Sequence, residues 1–386
     1  MAVVPRRNIG VRSERVTALL MKLCSADSAS YRERPIFAIA QESLLALGFE
    51  VYEDQTGAQV GGDVGNLIAR MPGRGRGAAM RPLLFSAHMD RVAGGMGVKP
   101  VLDGGVVRSQ GDTILGADDA AGIAALLEAY TVVSERGTDH PPLEIVLTIG
   151  EEVGLVGAKH LDYRLIQSKT GFVLDSNGPV GSLVVQAPTQ YALRAQIFGR
   201  SAHAGIAPEA GISAIRIVAA AINRMTLGRI DAETTANVGY IAGGGPTNVV
   251  PERAEIRAEA RSLDAKKVEH QVEHMKQALQ SAADEHGGTL ELEITRSYHG
   301  FRLERESEPV SLAEQAMHRL GIVPTRTATG GGSDANVFNA NGIPSVVLGV
   351  GFQRIHTYRE YMPVDQLVAL SEVVAEIMSL GGTWSL

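Results

Sequence analysis

The chain has 386 residues, which is long enough for two domains and a large buried core. Its content of 45% apolar and 20% charged residues is typical of a soluble globular protein. The net charge of −7 argues against nucleic acid or an anionic membrane as the main partner, and no apolar run is long enough to span a bilayer.

The beginning of the chain predicts a first helix rather than a signal peptide. Basic residues precede an apolar run, but Lys22 interrupts this run and no clean small-residue cleavage site follows. The single cysteine, Cys24, has no second cysteine with which to form an internal disulfide, and its apolar helical neighbourhood predicts a core thiol. We therefore expect a cytoplasmic protein.

In chain order, the predicted elements are first helices and then buried strands. Residues from Ser13 to about Gly48 show helical periodicity in two segments. Apolar runs of strand length follow, and an alanine-rich helix, AAGIAALLEAYTVVSE, lies among them; the runs are NLIARM, PLLFSAH, LEIVLTIG and GFVLD. Such strands separated by helices predict an α/β fold, in which a mostly parallel sheet is covered by helices on both faces. The Asp-Gly-Gly turn in VKPVLDGGVVRS predicts a hairpin.

A different pattern begins at about residue 188. Its segments read as strand, helix, two strands, helix and strand, which is the order of a ferredoxin-like α+β unit. From about His299 the alternation of helices and strands resumes and ends in a helix at VDQLVALSEVVAEIMSLG. We therefore predict a discontinuous domain of residues 1–187 and 299–386, with an inserted domain of residues 188–298.

Acidic and histidine residues follow the apolar runs of the first domain. They are His88 and Asp90, Asp118 and Asp119, Glu151 and Glu152, Asp175, and His356. Ligands of an open α/β sheet bind outside the carboxyl ends of its strands. Imidazoles and carboxylates are the ligands of divalent-metal sites, and a spare carboxylate supplies a base, so the pattern predicts a two-metal hydrolase. Each residue alone has an ordinary alternative, such as a helix cap or a solvated surface charge.

These residues lie in motifs that resemble those of the M20 metallopeptidases. The motifs are SAHMD at 86–90, GADDAAG at 116–122, GEEVGLVGA at 150–158, the strand-ending Asp175, and GGGSDANVF at 330–338. They occur in the family's order through nearly the whole chain, and the likeness is greatest to the peptidase T (tripeptide aminopeptidase) branch. The resemblance implies an exopeptidase for short peptides that binds two divalent metal ions. Zinc is the metal expected, and cobalt and manganese are alternatives. It also implies a homodimer formed through the inserted domain.

The resemblance assigns a role to each metal ligand. His88 and Asp175 would bind one ion, and Glu152 and His356 would bind the other. Asp118 would bridge the two ions, as one carboxylate with two oxygens can. A cis peptide bond is expected directly after this bridging residue.

Further residues of the same motifs would support the reaction. Glu151 would be the general base that takes a proton from the attacking water. Asp90 would hold the imidazole of His88 through its second ring nitrogen. Asp119 and Asp334 would be similar supports and not metal ligands.

The inserted domain has candidate residues of its own. The segment around His203 resembles the family segment whose histidine reaches the active site of the partner subunit, where it would stabilise the oxyanion of the scissile carbonyl. A capped turn before a helix starting near Gly211 is the alternative interpretation. Asn248 and Arg261 match family positions that contact substrate, and the fork of Arg261 suits a peptide carboxylate. Gly331 lies in a glycine run at a predicted helix start, where backbone N–H groups suit an anionic substrate end.

Two alternative functions stay open at this point. A deacylase or carboxypeptidase acting on N-acyl or N-carbamoyl amino acids would share the ligand set, and comparing a free-amino peptide with its N-acetylated form would separate it. A non-enzymatic binding protein on a hydrolase scaffold is of a different class. The presence of Glu151 argues against it, and an absence of all hydrolysis by metal-loaded protein would favour it.

Overall fold

The computed structural model describes residues 9–383. Residues 1–8 and 384–386, which include the two ends of the predicted discontinuous domain, lie outside the described residues. The described chain forms two compact units. The first unit comprises the chain up to Val185, Arg302–Ala328 and the chain from Ser333 onward, and the second comprises Gln186–Phe301 and Thr329–Gly332.

The first part of the chain contains helices followed by the strands of a large sheet. In order, these elements are α1 (Ser13–Ser25), α2 (Arg34–Ala46), β1 (Glu50–Glu53), α3 (Thr56–Val60), β2 (Leu67–Met71), β3 (Leu83–His88), β4 (Pro100–Asp103), β5 (Val106–Ser109), α4 (Ala117–Glu135), β6 (Leu143–Thr148), α5 (Val156–His160), β7 (Gly171–Ser176) and β8 (Ser182–Ala187). Helices α1 and α2 confirm the two helical segments predicted before Gly48.

The chain then passes through the second unit and returns to the first. These elements are β9 (Thr189–Phe198), α6 (Ala214–Arg224), β10 (Gly228–Arg229), β11 (Thr234–Gly243), β12 (Arg253–Ser262), α7 (Ala265–His286), β13 (Thr289–Tyr298), β14 (Phe301–Arg302), α8 (Glu308–Arg319), β15 (Thr325–Ala328), α9 (Asp334–Ala340), β16 (Ser345–Gly349), β17 (Tyr361–Pro363) and α10 (Val364–Gly381). Helix α6 begins three residues later than the predicted start near Gly211.

The large sheet is parallel at its centre. Its strands follow the order β1-β2-β6-β3-β7-β16-β8, in which β3 pairs in parallel with β6 and β7, and β16 pairs in parallel with β7. Antiparallel pairs between β1 and β2, between β2 and β6, and between β16 and β8 extend it on both sides. The predicted α/β fold with a mostly parallel sheet is therefore confirmed.

Both faces of this sheet are covered. Every residue of β3 and of β6 is buried, which is the pattern of central parallel strands with helices packed on each side. The alanine-rich helix α4 packs against β3 and β7, and also against α1 and α10. Because β3, β6, β7 and β16 run in the same direction, the residues that follow them are brought to one edge of the sheet.

The predicted hairpin forms between β4 and β5. These strands pair antiparallel from Pro100 to Ser109, and β17 joins them as a third strand. The two turn residues, Gly104 and Gly105, have φ angles of 58° and 82°. A two-residue turn of this kind needs positive φ at both positions, which glycine adopts without a steric cost.

The second unit has an antiparallel sheet with the order β10-β11-β12-β9-β13. Apart from the two-residue strand β10, the element order agrees with the β-α-β-β-α-β order read from the sequence. Helices α6 and α7 supply one half of its core, and inward-facing residues of β9, β11 and β12, including Ile197, Ala236 and Ile256, supply the other. Within residues 9–383, the structure has no helix with both the length and the apolar character needed to cross a membrane.

Candidate active site

The predicted metal ligands meet where the parallel strands end. His88 is the last residue of β3, Asp175 lies one residue before the end of β7, and Glu152 lies in the loop that follows β6. Asp118 is at the start of α4, and His356 is in the loop after β16. The structure therefore brings together five residues from distant parts of the chain.

Asp118 lies between the two imidazoles. Its Oδ1 is 3.1 Å from Nε2 of His88, and its Oδ2 is 3.4 Å from Nε2 of His356. Asp175 Oδ1 is 3.8 Å from His88 Nε2, and Glu152 Oε1 is 3.0 Å from His356 Nε2. The arrangement is that of two adjoining groups, each with one imidazole and one carboxylate of its own, which share the Asp118 carboxylate.

The donor set fits divalent cations. Ligand atoms of His88, Asp118 and Glu152 all lie within 4.8 Å of one another, and the same holds for His88, Asp119 and Asp175. Imidazole nitrogens and carboxylate oxygens are donors that zinc, cobalt and manganese accept in proteins. These residues form a candidate metal site.

The electrostatics of the site also favour a cation. Burial raises the pKa of Glu151, Asp175 and Asp119 well above their ordinary values, because the ionised forms lose hydration. Burial acts in the same direction on Asp118, but hydrogen bonds with the two imidazoles outweigh it and lower the pKa of this carboxyl. A divalent ion would supply the positive charge that stabilises such a group of buried carboxylates.

His356 occupies an uncommon backbone conformation. Its φ angle is 60°, in the left-handed region that residues other than glycine seldom adopt and that recurs at functional sites. Hydrogen bonds to Asp118 and Glu152 raise the pKa of its imidazole to about 10. A metal ion at this ring nitrogen would take the place of the proton that these carboxylates otherwise stabilise.

The carboxylate of Asp90 contacts the turn that carries Glu151 and Glu152. It accepts hydrogen bonds from the backbone N–H groups of these two residues, at 2.8 and 3.2 Å. Nδ1 of His88 is 3.5 Å from the Asp90 carboxylate and 3.1 Å from the backbone carbonyl oxygen of Asp90. The side chain of Asp90 is therefore bound more closely to the backbone of Glu151 and Glu152 than to the imidazole of His88, which the sequence assigned to it.

The two predicted supports are both buried. Asp119, which follows a cis peptide bond as the resemblance implies, accepts backbone N–H groups from His88 at 3.3 Å and from Gly122 at 3.0 Å. Asp334 accepts the hydroxyl of Thr148, near the end of β6, and burial raises its pKa to about 6. Both residues thus link elements that carry predicted metal ligands or the predicted base.

The chain matches the model of peptidase family M20/M25/M40 over residues 84–380, which is well over half of its length. It belongs to this family. The protein YqjE of Bacillus subtilis (strain 168) is 45% identical to it over 368 residues, covering 95% of this chain and 98% of that protein.

Two solved structures resemble this M20 family member along nearly its whole length. Aminopeptidase PepT from Bacillus cereus ATCC 10987 is 44% identical with a TM-score of 0.88, and the match covers 98% of this chain and 100% of that chain. A tripeptidase from Staphylococcus aureus subsp. aureus Mu50 is 39% identical with a TM-score of 0.92, covering 97% and 100%. The predicted membership of the M20 family and its peptidase T-like branch is confirmed, and so is the prediction of a hydrolase that acts on peptides.

Glu360 is a buried member of this M20 site that the sequence did not indicate. Its carboxylate accepts the backbone N–H groups of Gly116 at 2.8 Å and of Asp118 at 3.1 Å, and burial raises its pKa to about 7. It lies four residues after His356, so it connects the loop of this histidine to the segment that carries Asp118. A glutamate in the polar stretch HTYREYM has no sequence feature that distinguishes it from a surface residue.

In the second unit, the segments of His203 and Asn248 lie side by side. His203 forms an antiparallel bridge with Val249, and the N–H of Ala204 donates to the carbonyl oxygen of Asn248 at 2.9 Å. Nδ1 of His203 accepts the N–H of Gly205 at 3.2 Å, so the ring also stabilises a local turn.

The guanidinium of Arg261 already has a carboxylate partner. Its Nε and Nη2 donate to the two oxygens of Glu259 at 3.0 and 2.9 Å, and its Nη1 lies 3.5 Å from the carbonyl oxygen of Gly330. The N–H of Gly331 donates to the hydroxyl of Thr329 at 3.1 Å. Helix α9 begins at Asp334 with Ser333 as its N-cap, so the helix predicted at this glycine run starts directly after it.

Proposed function

We propose that this M20 peptidase is a two-metal exopeptidase that releases the amino-terminal residue from short peptides. The observation that carries the proposal is the position of Asp118, which presents one carboxylate oxygen to each of two imidazoles. Two similar structures, an aminopeptidase and a tripeptidase, support the choice of reaction.

The ligands divide into two groups around the shared carboxylate. His88 and Asp175 would hold one ion, Glu152 and His356 would hold the other, and Asp118 would contribute to both. Zinc suits this mixture of nitrogen and oxygen donors, and cobalt or manganese would also be accepted. When bound, the two ions polarise the scissile carbonyl, increase the acidity of water and stabilise the negative charge that develops during hydrolysis.

Glu151 acts as the general base of the reaction. Its carboxylate accepts a proton from the water that attacks the scissile carbonyl, and it then donates this proton to the nitrogen of the departing amine. The raised pKa of Glu151, caused by burial and by the nearby charge of Asp175, favours a group that can both accept and donate a proton. Asp90 orients the base by binding its backbone N–H.

Residues of the second unit complete the proposal. The inserted domain, residues 188–298, serves as a lid and forms a homodimer, and His203 of one subunit stabilises the oxyanion at the other subunit's site. Asn248, Arg261 and Gly331 bind the backbone and the carboxyl end of the peptide. A cytoplasmic location is part of the same proposal; its support is the single buried cysteine, Cys24, in a chain without a possible internal disulfide.

A substrate panel tests the reaction class. Unblocked di-, tri- and tetrapeptides, their N-acetylated forms and N-acetyl amino acids would each be incubated with protein loaded with zinc, cobalt or manganese. We expect cleavage of unblocked short peptides with release of the first residue. Faster cleavage of N-acetyl amino acids would replace the proposal with a deacylase, and no hydrolysis of any compound would favour a binding protein.

The Glu151→Gln variant tests the role of the base in the same assay. It should keep its metal content while kcat falls by roughly 10²–10⁴-fold, the usual contribution of a general base. Loss of metal from this variant, measured by elemental analysis, would mean that Glu151 is a ligand and that another group is the base.

A further inference from the structure

Buried carboxylates accept hydrogen bonds from three successive backbone N–H groups, those of Gly150, Glu151 and Glu152. The N–H of Gly150 donates to Glu33 Oε1 at 3.0 Å. The N–H groups of Glu151 and Glu152 donate to Asp90 Oδ1 and Oδ2, at 2.8 and 3.2 Å. We call residues 150–152 the glutamate turn. Its backbone orientation is thus set by two side chains from other parts of the chain.

The segment between α1 and α2, residues 28–33, supplies one of these carboxylates and supports the other. The hydroxyl of Ser30 donates to Asp90 Oδ2 at 2.6 Å, so it orients the carboxylate that binds Glu151 and Glu152. Glu33 Oε1 also accepts the N–H of Tyr31 at 2.8 Å, which fixes this side chain within its own segment. We call residues 28–33 the brace segment.

The burial of the Glu33 carboxyl group lowers the free energy of unfolding. The residue has 0% exposure, and burial raises the pKa of its carboxyl to about 7. Its second oxygen, Oε2, is buried without a hydrogen-bond partner among the described residues. A buried carboxyl group with incomplete hydrogen bonding lowers the free energy of unfolding, so its presence behind the predicted base points to a role in the site.

We propose that Glu33 and Ser30 are positioning residues, which hold the glutamate turn in the orientation that directs the Glu151 side chain at the reacting water. This inference rests on the proposed role of Glu151 as the base. Glu33 acts through the N–H of Gly150, and Ser30 acts through Asp90. In this role, neither residue needs to contact the substrate.

The main test compares Glu33→Leu with Glu144→Leu. Glu144 is a matched control because it is also buried and binds backbone N–H groups, those of Gln167 and Ser168, but it lies near the start of β6 rather than after its end. Glu33→Leu should lower kcat for a tripeptide by roughly 10–100-fold, with KM unchanged and metal content retained at saturating zinc, because a small misplacement of a catalytic group has this effect. Glu33→Gln, which keeps an oxygen acceptor, should recover most of the activity.

Hydrogen exchange gives a measurement that does not depend on activity. In Glu33→Leu, exchange in a peptide covering residues 149–155 should become roughly 10-fold faster than in the wild type, because a buried hydrogen bond is lost. Glu144→Leu should leave exchange in this peptide unchanged. If no peptide is cleaved by the wild type but this difference is seen, the proposed function fails while Glu33 still positions the turn.

A milder pair of variants covers the case in which Glu33→Leu does not fold. Ser30→Ala removes the hydroxyl that orients Asp90, and Ser28→Ala removes a hydroxyl of the same segment that donates to the carbonyl oxygen of Met89. Ser30→Ala should lower kcat and leave KM unchanged, and Ser28→Ala should change neither. Equal kcat values for both serine variants, or loss of zinc that accounts for the lower kcat of Glu33→Leu, would overturn the inference.

Discussion

Asp118 lies between both imidazoles of the candidate metal site, whereas Asp175 and Glu152 each lie beside one of them. This difference has a chemical consequence. Removal of the shared carboxylate should disturb both halves of the site, and removal of Asp175 should disturb the half that contains His88.

Metal content distinguishes the shared carboxylate from the others. The wild type is expected to bind about two zinc ions per chain after dialysis against buffered zinc. Asp118→Asn should lose nearly all of this zinc, and Asp175→Asn should retain about one ion, because each site needs its charged ligands. Elemental analysis measures this directly, with circular dichroism as the control for folding. The same zinc content in both variants would contradict the bridging role of Asp118.

At the scale of single elements, the proposed substrate contact of Arg261 depends on the charged face of β12. Arg257 and Arg261 each bind a glutamate two residues earlier, since residues i and i+2 of a strand lie on the same face. Arg261 is therefore not a free guanidinium. A peptide carboxylate that binds it has to compete with Glu259.

Substitutions on β12 test this competition. Arg261→Ala should reduce kcat/KM for a tripeptide by roughly 10–100-fold, the effect of losing a charged hydrogen bond, and Arg261→Lys should recover part of it. Glu259→Gln should lower KM for the tripeptide but not for its C-terminal amide, because the fork is released for the substrate carboxylate. Arg257→Ala, which removes the equivalent pair with Glu255, is the matched control and should change neither constant.

The outcome that rejects carboxylate binding by Arg261 comes from the wild type. If it cleaves a tripeptide and the C-terminal amide of that peptide equally well, the carboxyl end of the substrate is not recognised. The interaction between Arg261 and Glu259 would then be structural, like that between Arg257 and Glu255.

Elements and strand ends could be predicted from the sequence, but contacts between distant segments could not. Apolar runs identify β3, β6 and β7, and parallel strands bring the residues after them to one edge, so the meeting of His88, Glu152 and Asp175 was predictable. Glu33 and Glu360 bind backbone N–H groups far away in the chain, and no local pattern marks a glutamate for such a contact. For the same reason, the sequence indicated that the guanidinium of Arg261 could bind a carboxylate, but not that Glu259 already occupies it.

At the scale of the whole molecule, the proposal requires two subunits for one complete site. His203→Ala would remove the oxyanion group, and Glu151→Gln would remove the base. Mixing the two inactive proteins should produce heterodimers in which one site has both residues, so activity should return to a fraction of the wild-type value. Native mass spectrometry with one isotopically labelled variant checks that subunits exchange. If exchange occurs without recovered activity, His203 does not act across the dimer.

The central claim is that hydrolysis of short peptides depends on two metal ions held by one shared carboxylate. The most direct measurement is a titration of metal-free protein with zinc, in which tripeptide cleavage and bound zinc are followed together. We expect no cleavage by the metal-free protein and a maximum at about two ions per chain, as two-metal catalysis requires. Cleavage by the metal-free protein, or full activity at one ion per chain, would contradict the account.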